Sequence, residues 1–254
     1  MKDFYISDFK FSTRYADFDF RDELKISAFL NFMQEAAGLN ANELGCGSEY
    51  LWPRGLGFIV ANNYLEVYRS VKTSETLTVR TWALPPKRIV FERNYEIYGE
   101  DGGKIAAATS RWCLLDIKNK KMLPASTLET QNYEKYCQTK TIDFNAWKIQ
   151  PFDVTEKEPD FSMAVRSSEY DHYCHVNNVR YADFCMNCFS VQELSEKRVT
   201  SFLISYEDQC LEGDELCFYR QSLSESEFVI VGKKLNGKEF MRAKLTLADK
   251  IKNE

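Results

Sequence analysis

Arg166-Ser-Ser-Glu-Tyr-Asp171-His-Tyr-Cys-His175-Val-Asn-Asn178-Val-Arg-Tyr181 is the stretch from which the rest of the chain can be ordered. It holds both histidines of the 254-residue protein, His172 and His175, with Asp171 four residues before the second. An apolar run from Val179 to Leu194 follows, so the cluster stands where an extended segment turns into a helix. Free backbone N–H groups point outward at such a junction and can hold a developing negative charge. An acid, an imidazole and a helix N-terminus are together the parts needed for acyl transfer or hydrolysis.

The same stretch has a counterpart upstream. Arg14-Tyr-Ala-Asp17-Phe-Asp19 aligns with Arg166-Ser-Ser-Glu169-Tyr-Asp171 without a gap, which predicts two similar units. Each is followed by apolar residues at three- and four-residue steps, the pattern of one buried helical face. In the first copy these are Ile26, Phe29, Leu30, Met33, Ala36 and Ala37; in the second, Tyr181, Ala182, Cys185, Cys188 and Phe189. Strand-like alternation comes next, Thr76–Trp82 and Glu215–Arg220, and both halves close on a Gly-Lys turn, Gly103-Lys104 and Gly237-Lys238. The expected organisation is an α+β unit over 1–130, a connection over 131–150 and a second unit over 151–254. The connection falls within 117–150, a segment of weak periodicity and many lysines.

Composition narrows the function classes. With 44% hydrophobic and 14% aromatic residues the chain can fill a packed core. No apolar run approaches the roughly 18 residues of a membrane span, and Met1-Lys-Asp-Phe-Tyr5 lacks the apolar core of a signal peptide. A cytoplasmic protein is expected. A net charge of −5 disfavours nucleic acid as a partner. The eight cysteines then read as free thiols, and Cys185-Met-Asn-Cys188 as a buried structural pair one helical turn apart. His172, Cys174 and His175 lack a fourth ligand at suitable spacing, so neither metal nor cofactor is expected.

Three stretches in order resemble the signatures of the acyl-ACP thioesterases, a plant and bacterial family. Asp171-x-x-x-His175-Val-Asn-Asn-x-x-Tyr181 is similar to its catalytic motif, Asn31-Phe-Met-Gln34-Glu35-Ala36-Ala37 to its Gln-Glu-Ala-Ala helix, and Thr109-Ser110-Arg111-Trp112 with Leu115-Asp116 to its Ser-Arg-Trp-x-x-x-Asp strand. The resemblance implies a tandem (double) hotdog fold, each half a long helix wrapped by an antiparallel sheet. A chain of this kind supplies both halves of a hotdog pair, so either a monomer or a homodimer would serve. The absence of a transit peptide points to a bacterial source. The implied reaction is hydrolysis of an acyl thioester on the phosphopantetheine arm of acyl carrier protein. Asp171 and His175 would activate water, and backbone N–H groups near Val176 and Asn177 would polarise the carbonyl. The resemblance assigns the acyl pocket to the first half, with Met33, Ala37 and Tyr173 as substrate-binding candidates.

The halves are not chemically equivalent. Asp19 aligns with Asp171, but Glu23, Lys25 and Ile26 stand where His175, Asn177 and Asn178 do. Asp19 is expected to shape a turn, with catalysis in the second half. Two departures from the plant pattern bear on rate. Tyr173 replaces an Asn two residues before the histidine, and Gln209, just before Cys210, replaces a Glu. Glutamine orients water or a carbonyl but cannot act as a base; Glu207 and Asp208 are its nearest acidic neighbours. Cys210 is weighed as a nucleophile paired with His175, against the commoner packed cysteine. His172 is expected to face away from His175. Acyl carrier protein is acidic, and segment 104–148, with eight Lys or Arg against four Asp or Glu, is the candidate docking surface. Acyl-CoA hydrolysis and acyl binding without turnover are the competing functions.

Overall fold

The computed structural model describes residues 5–128, 135–171 and 173–250. Among these residues eleven strands form one sheet, and every pairing in it is antiparallel. The first half contributes β1 (Ser7–Ser12), β2 (Leu56–Val67), β3 (Thr76–Ala83), β4 (Val90–Tyr98), β5 (Lys104–Asp116) and the short β6 (Lys121–Leu123). The second contributes β7 (Phe161–Ala164), β8 (Lys197–Tyr206), β9 (Glu215–Ser222), β10 (Glu227–Lys234) and β11 (Glu239–Asp249). Their order, β1-β3-β4-β5-β2-β8-β11-β10-β9-β7 with β6 beside β5, reads the same from either end once each strand is exchanged for its counterpart. The pseudo-twofold axis lies between β2 and β8, where Asn62 to Glu66 pair with Ser205 to Ser201. This is the double hotdog, and its two halves share one continuous sheet and one main core.

Helix α1 (Ile26–Glu43) follows from its sequence. Phe29, Leu30, Met33, Ala36 and Ala37 recur on one face, and all are buried. Burial of each large apolar side chain contributes about 1.5–3 kcal/mol relative to exposure. The helix ends in a Schellman motif: Gly45, at φ +71°, donates its N–H to Asn42 O, and Cys46 donates to Ala41 O.

The second half departs from the expected long helix. Helix α3 covers only Arg180–Met186, and the run to Leu194 is divided. Ser190 Oγ accepts the Glu193 N–H while the Glu193 carboxylate accepts the Ser190 N–H, a capping box that starts the separate turn α4 (Val191–Leu194). Cys185 and Cys188 are both buried, but Cys188 lies beyond the end of α3, its sulfur 3.8 Å from Phe184 O.

The lysine-bearing connection crosses the outer face of the sheet from one half to the other. Thr139 O accepts the Trp82 indole N–H, Phe144 stacks on Tyr64 at 3.7 Å, and the Arg111 guanidinium lies 4.3 Å from the Trp147 ring. Ile149 O then accepts from Arg242 on β11 at 3.0 Å. The segment thereby buries Leu203, Val229 and Val231, apolar residues on the outer side of the second half.

Candidate active site

Asp171 and the residues from Tyr173 to Asn177 are drawn into a tight turn. Asp171 N–H donates to His175 O at 3.1 Å, Cys174 N–H donates to Asp171 O, and Cys174 takes the left-handed φ of +62°. One Asp171 oxygen accepts the Tyr173 N–H at 2.8 Å and so holds the turn; the other lies 3.9 Å from His175 Nδ1. That separation is too long for a hydrogen bond and becomes an ion contact when the ring is protonated. His175 Nδ1 is 3.1 Å from the Val176 carbonyl, which can only accept. The proton of the neutral ring is therefore assigned to Nδ1, leaving the Nε2 lone pair as the base. The side chain is one-third exposed, enough to meet a substrate.

The structure corrects the expected carbonyl donors. Val176 N–H is used by Cys210 O at 3.1 Å and Asn177 N–H by Glu169 O at 2.9 Å. Both close the loop onto its neighbours and neither is free, because buried backbone groups must be paired. Asn177 instead acts as a cap: its Oδ1 accepts the Val179 N–H and its carbonyl the Arg180 N–H. Among the described residues, the Asn178 N–H at the mouth of α3 has no protein acceptor.

Cys210 is fully buried, and burial pushes its thiol up to about 11, the Tyr181 hydroxyl only partly offsetting this. A protonated, inaccessible thiol is no nucleophile, so the cysteine is structural. Gln209 lies beside it in the loop after β8, exposed, its backbone carbonyl accepting from Lys234 Nζ. Glu207 is also exposed in that loop. Asp208 is committed to Lys238 and Lys234 at 2.9 and 3.2 Å. Burial would raise its pKa, but the two ammonium groups outweigh this and hold it low. His172 lies outside the described residues.

Residues from the first half complete the surroundings, and their sequence spacing did not reveal them. Trp52, in the 3-10 turn Trp52–Arg54 after the short helix α2 (Ser48–Leu51), meets Tyr173 edge to face at 5.4 Å. Tyr173 lies nearly parallel to His175, with ring centroids 6.1 Å apart. The Tyr206 hydroxyl donates to Asn178 O at 3.1 Å and lies beside the buried Asn63 side chain of β2. From Asn63 a polar row crosses the inner face, Asn63 opposite Ser110 and Ser110 opposite Arg93. Arg93 donates to Thr81 and, at 2.7 Å, to Asn40 of α1. Met33 and Ala37, both buried, share the α1 stripe with Asn40.

Comparison with known proteins agrees with this architecture. The family model for the acyl-ACP thioesterase N-terminal domain matches residues 5–128, and that for the C-terminal domain matches 153–247. An acyl-ACP thioesterase crystal structure from Bacteroides thetaiotaomicron superposes with a TM-score of 0.86 at 24% identity, covering 96% of this chain and 98% of that one. The 12:0-ACP thioesterase from Umbellularia californica superposes with a TM-score of 0.83 at 18% identity, covering 97% and 98%. A chloroplastic oleoyl-acyl carrier protein thioesterase from Coriandrum sativum is 21% identical over 220 residues, which are 81% of this chain and 59% of that protein's length. The chain thus spans little more than half of the curated plant relatives that it matches. With both domain models matched in order, the chain belongs to the acyl-ACP thioesterase family.

Proposed function

We propose that this protein hydrolyses fatty acyl thioesters carried on acyl carrier protein, releasing the fatty acid. The observation that carries this reading is the partly exposed imidazole of His175, with its Nδ1 proton held by Val176 O and Asp171 beside it. Water gives its proton to Nε2 as its oxygen attacks the thioester carbon. Asp171 stabilises the imidazolium, and the Asn178 N–H faces the developing oxyanion. Collapse of the tetrahedral intermediate breaks the C–S bond, and the leaving thiolate recovers the proton from His175. Gln209 serves to orient the water, because an amide cannot take its proton.

The acyl chain is proposed to enter the first half beside Met33 and Ala37 of α1. Tyr173 and Trp52 would flank the pantetheine at the mouth. One chain carries both halves, so the proposed working unit is a monomer, with a homodimer compatible. No helix among the described residues is long and apolar enough to cross a membrane, and the proposed location is the cytoplasm.

A basic surface adjoins the mouth. Ile117 N–H donates to Gly55 O at 2.9 Å, tying the exposed Lys118, Lys120 and Lys121 to the turn bearing Trp52 and Arg54. Ala125 N–H donates to Arg88 O, bringing the exposed Lys87 and Arg88 alongside. An acidic carrier protein matches this charge. Reversing Lys118, Lys120 and Lys121 to Glu is expected to raise KM for acyl-ACP about tenfold at low salt with kcat unchanged, because rim charges act mainly on encounter. An unchanged KM would remove this docking face. The proposed reaction itself is tested by product release from matched panels of acyl-ACPs and acyl-CoAs. Turnover on the carrier-linked panel supports it, a preference for CoA esters would reassign the substrate, and no turnover on either would leave an acyl-binding protein.

A further inference from the structure

The loop bearing Asp171 and His175 is built twice. In the first half Asp19 N–H donates to Glu23 O at 3.0 Å, as Asp171 does to His175 O at 3.1 Å. Asp22 donates to Asp19 O as Cys174 does to Asp171 O, and Asp22 has a φ of +57° where Cys174 has +62°. Lys25 N–H bonds Asp17 O as Asn177 N–H bonds Glu169 O, both at 2.9 Å. Phe18 bridges Leu24 as Tyr170 bridges Val176. The counterpart loop keeps the backbone of the catalytic one while its chemistry differs. Arg21 stands at the position of Tyr173; its guanidinium pairs with Asp19 and bonds Lys197 O. This second loop lacks the imidazole, its Asp19 is paired with Arg21, and its Glu23 accepts from Ser70 and faces Lys250.

It nevertheless borders a cavity of about 360 Å³ between the halves, within the range of small-molecule sites. Ile26, Phe29 and Val67 of the first half, with Met186, Leu194 and Val199 of the second, line its apolar part. Two further lining residues are apolar and exposed, Phe20 at 56% and Val191 at 66%. The rim charges are mostly matched within the protein. Asp19 is paired with Arg21, Asp183 with Arg180 and Ser27, Arg69 with Glu75, and Glu23 faces Lys250 at 3.6 Å. Lys25 is the least tightly matched: its ammonium bonds Ala16 O and acts on the Asp17 carboxylate only through space, with no close ion pair among the described residues. An apolar cleft with one such cation at its rim is complementary to an alkyl chain ending in an anion.

We propose that this pseudo-symmetric cleft is a second, non-catalytic binding site for a medium-chain carboxylate, with its alkyl chain against Phe29 and Met186 and its carboxylate at Lys25. The proposal does not depend on the reaction at His175, and its test needs no turnover. Dodecanoate carrying a terminal diazirine is bound to the whole protein, photolysed, and the labelled peptides are mapped. Label is expected within 26–29, 67–71 or 186–199, and should fall about fivefold at subsaturating probe in Lys25→Glu. Val191→Glu, which puts a charge at the exposed apolar mouth, should lower it similarly. Val191 is largely exposed and does not support the core, so that variant tests binding rather than folding. Label found only outside these segments, or undiminished in both variants, would overturn the site.

Discussion

His175→Ala is expected to lower kcat for acyl-ACP hydrolysis by about 10²–10⁴-fold, the usual contribution of a positioned general base. KM should stay within about twofold, since the ring is proposed to act on water rather than to hold the acyl chain. Thermal stability should be nearly unchanged, because the side chain is one-third exposed and its hydrogen bond runs to the adjacent residue's own carbonyl. Asp171→Asn should have a smaller effect on kcat. It keeps an oxygen that can accept the Tyr173 N–H and so preserves the turn, while removing the charge 3.9 Å from Nδ1. The reverse ranking, with Asp171→Asn the more damaging, would make the carboxylate the base and His175 its orienting partner. A kcat unchanged in both variants would move the chemistry elsewhere. Single-turnover measurements on the purified acyl-ACP separate these outcomes from product release.

Phe218→Ala is expected to destabilise the fold by about 3–5 kcal/mol, lowering Tm by about 10 °C in a domain of this size. Its ring is fully buried at the centre of the second half, 5.8 Å from Phe184 of α3, 5.4 Å from Phe240 and 5.7 Å from Phe161. Truncation would leave a cavity bounded by strands held in their hydrogen-bond ladders and able to relax only partly. Activity should fall as well, because α3 rests on this ring and the turn leading into it carries Asn178. Denaturant unfolding of the variant measures the first effect and its kcat at low temperature the second. A loss below about 1 kcal/mol would show that α3 is supported by other contacts.

Much of the architecture was legible because it repeats. The matched segments at Arg14 and Arg166, each followed by a helical and then an alternating pattern, predict two similar units, and the palindromic strand order is that prediction in three dimensions. The length of the second helix was not legible from periodicity. The apolar run continues through Phe189 and Val191, while the local Ser190–Glu193 capping box breaks it. The box was visible in the sequence, but an apolar pattern is blind to a change of axis. The connection was also incompletely read. Its weak periodicity marked it as a linker, whereas Phe144, Trp147 and Ile149 are the cover of the outer sheet face. Residues that pack singly against a distant surface leave no regular spacing.

The sequence by itself determined the two-unit plan, the family resemblance and the difference between the copies, His175 and Asn177 in one against Glu23 and Lys25 in the other. These depend on residue identity and local order. Only the tertiary structure decided which polar groups remain available. Val176 and Asn177 spend their N–H groups on Cys210 and Glu169, Asp208 is committed to two lysines, and Cys210 is sealed in the core. It also brought Trp52 to Tyr173, 121 positions apart in the chain numbering. Hydrogen-bond satisfaction and burial depend on partners distant in sequence, so neither can be read from spacing alone.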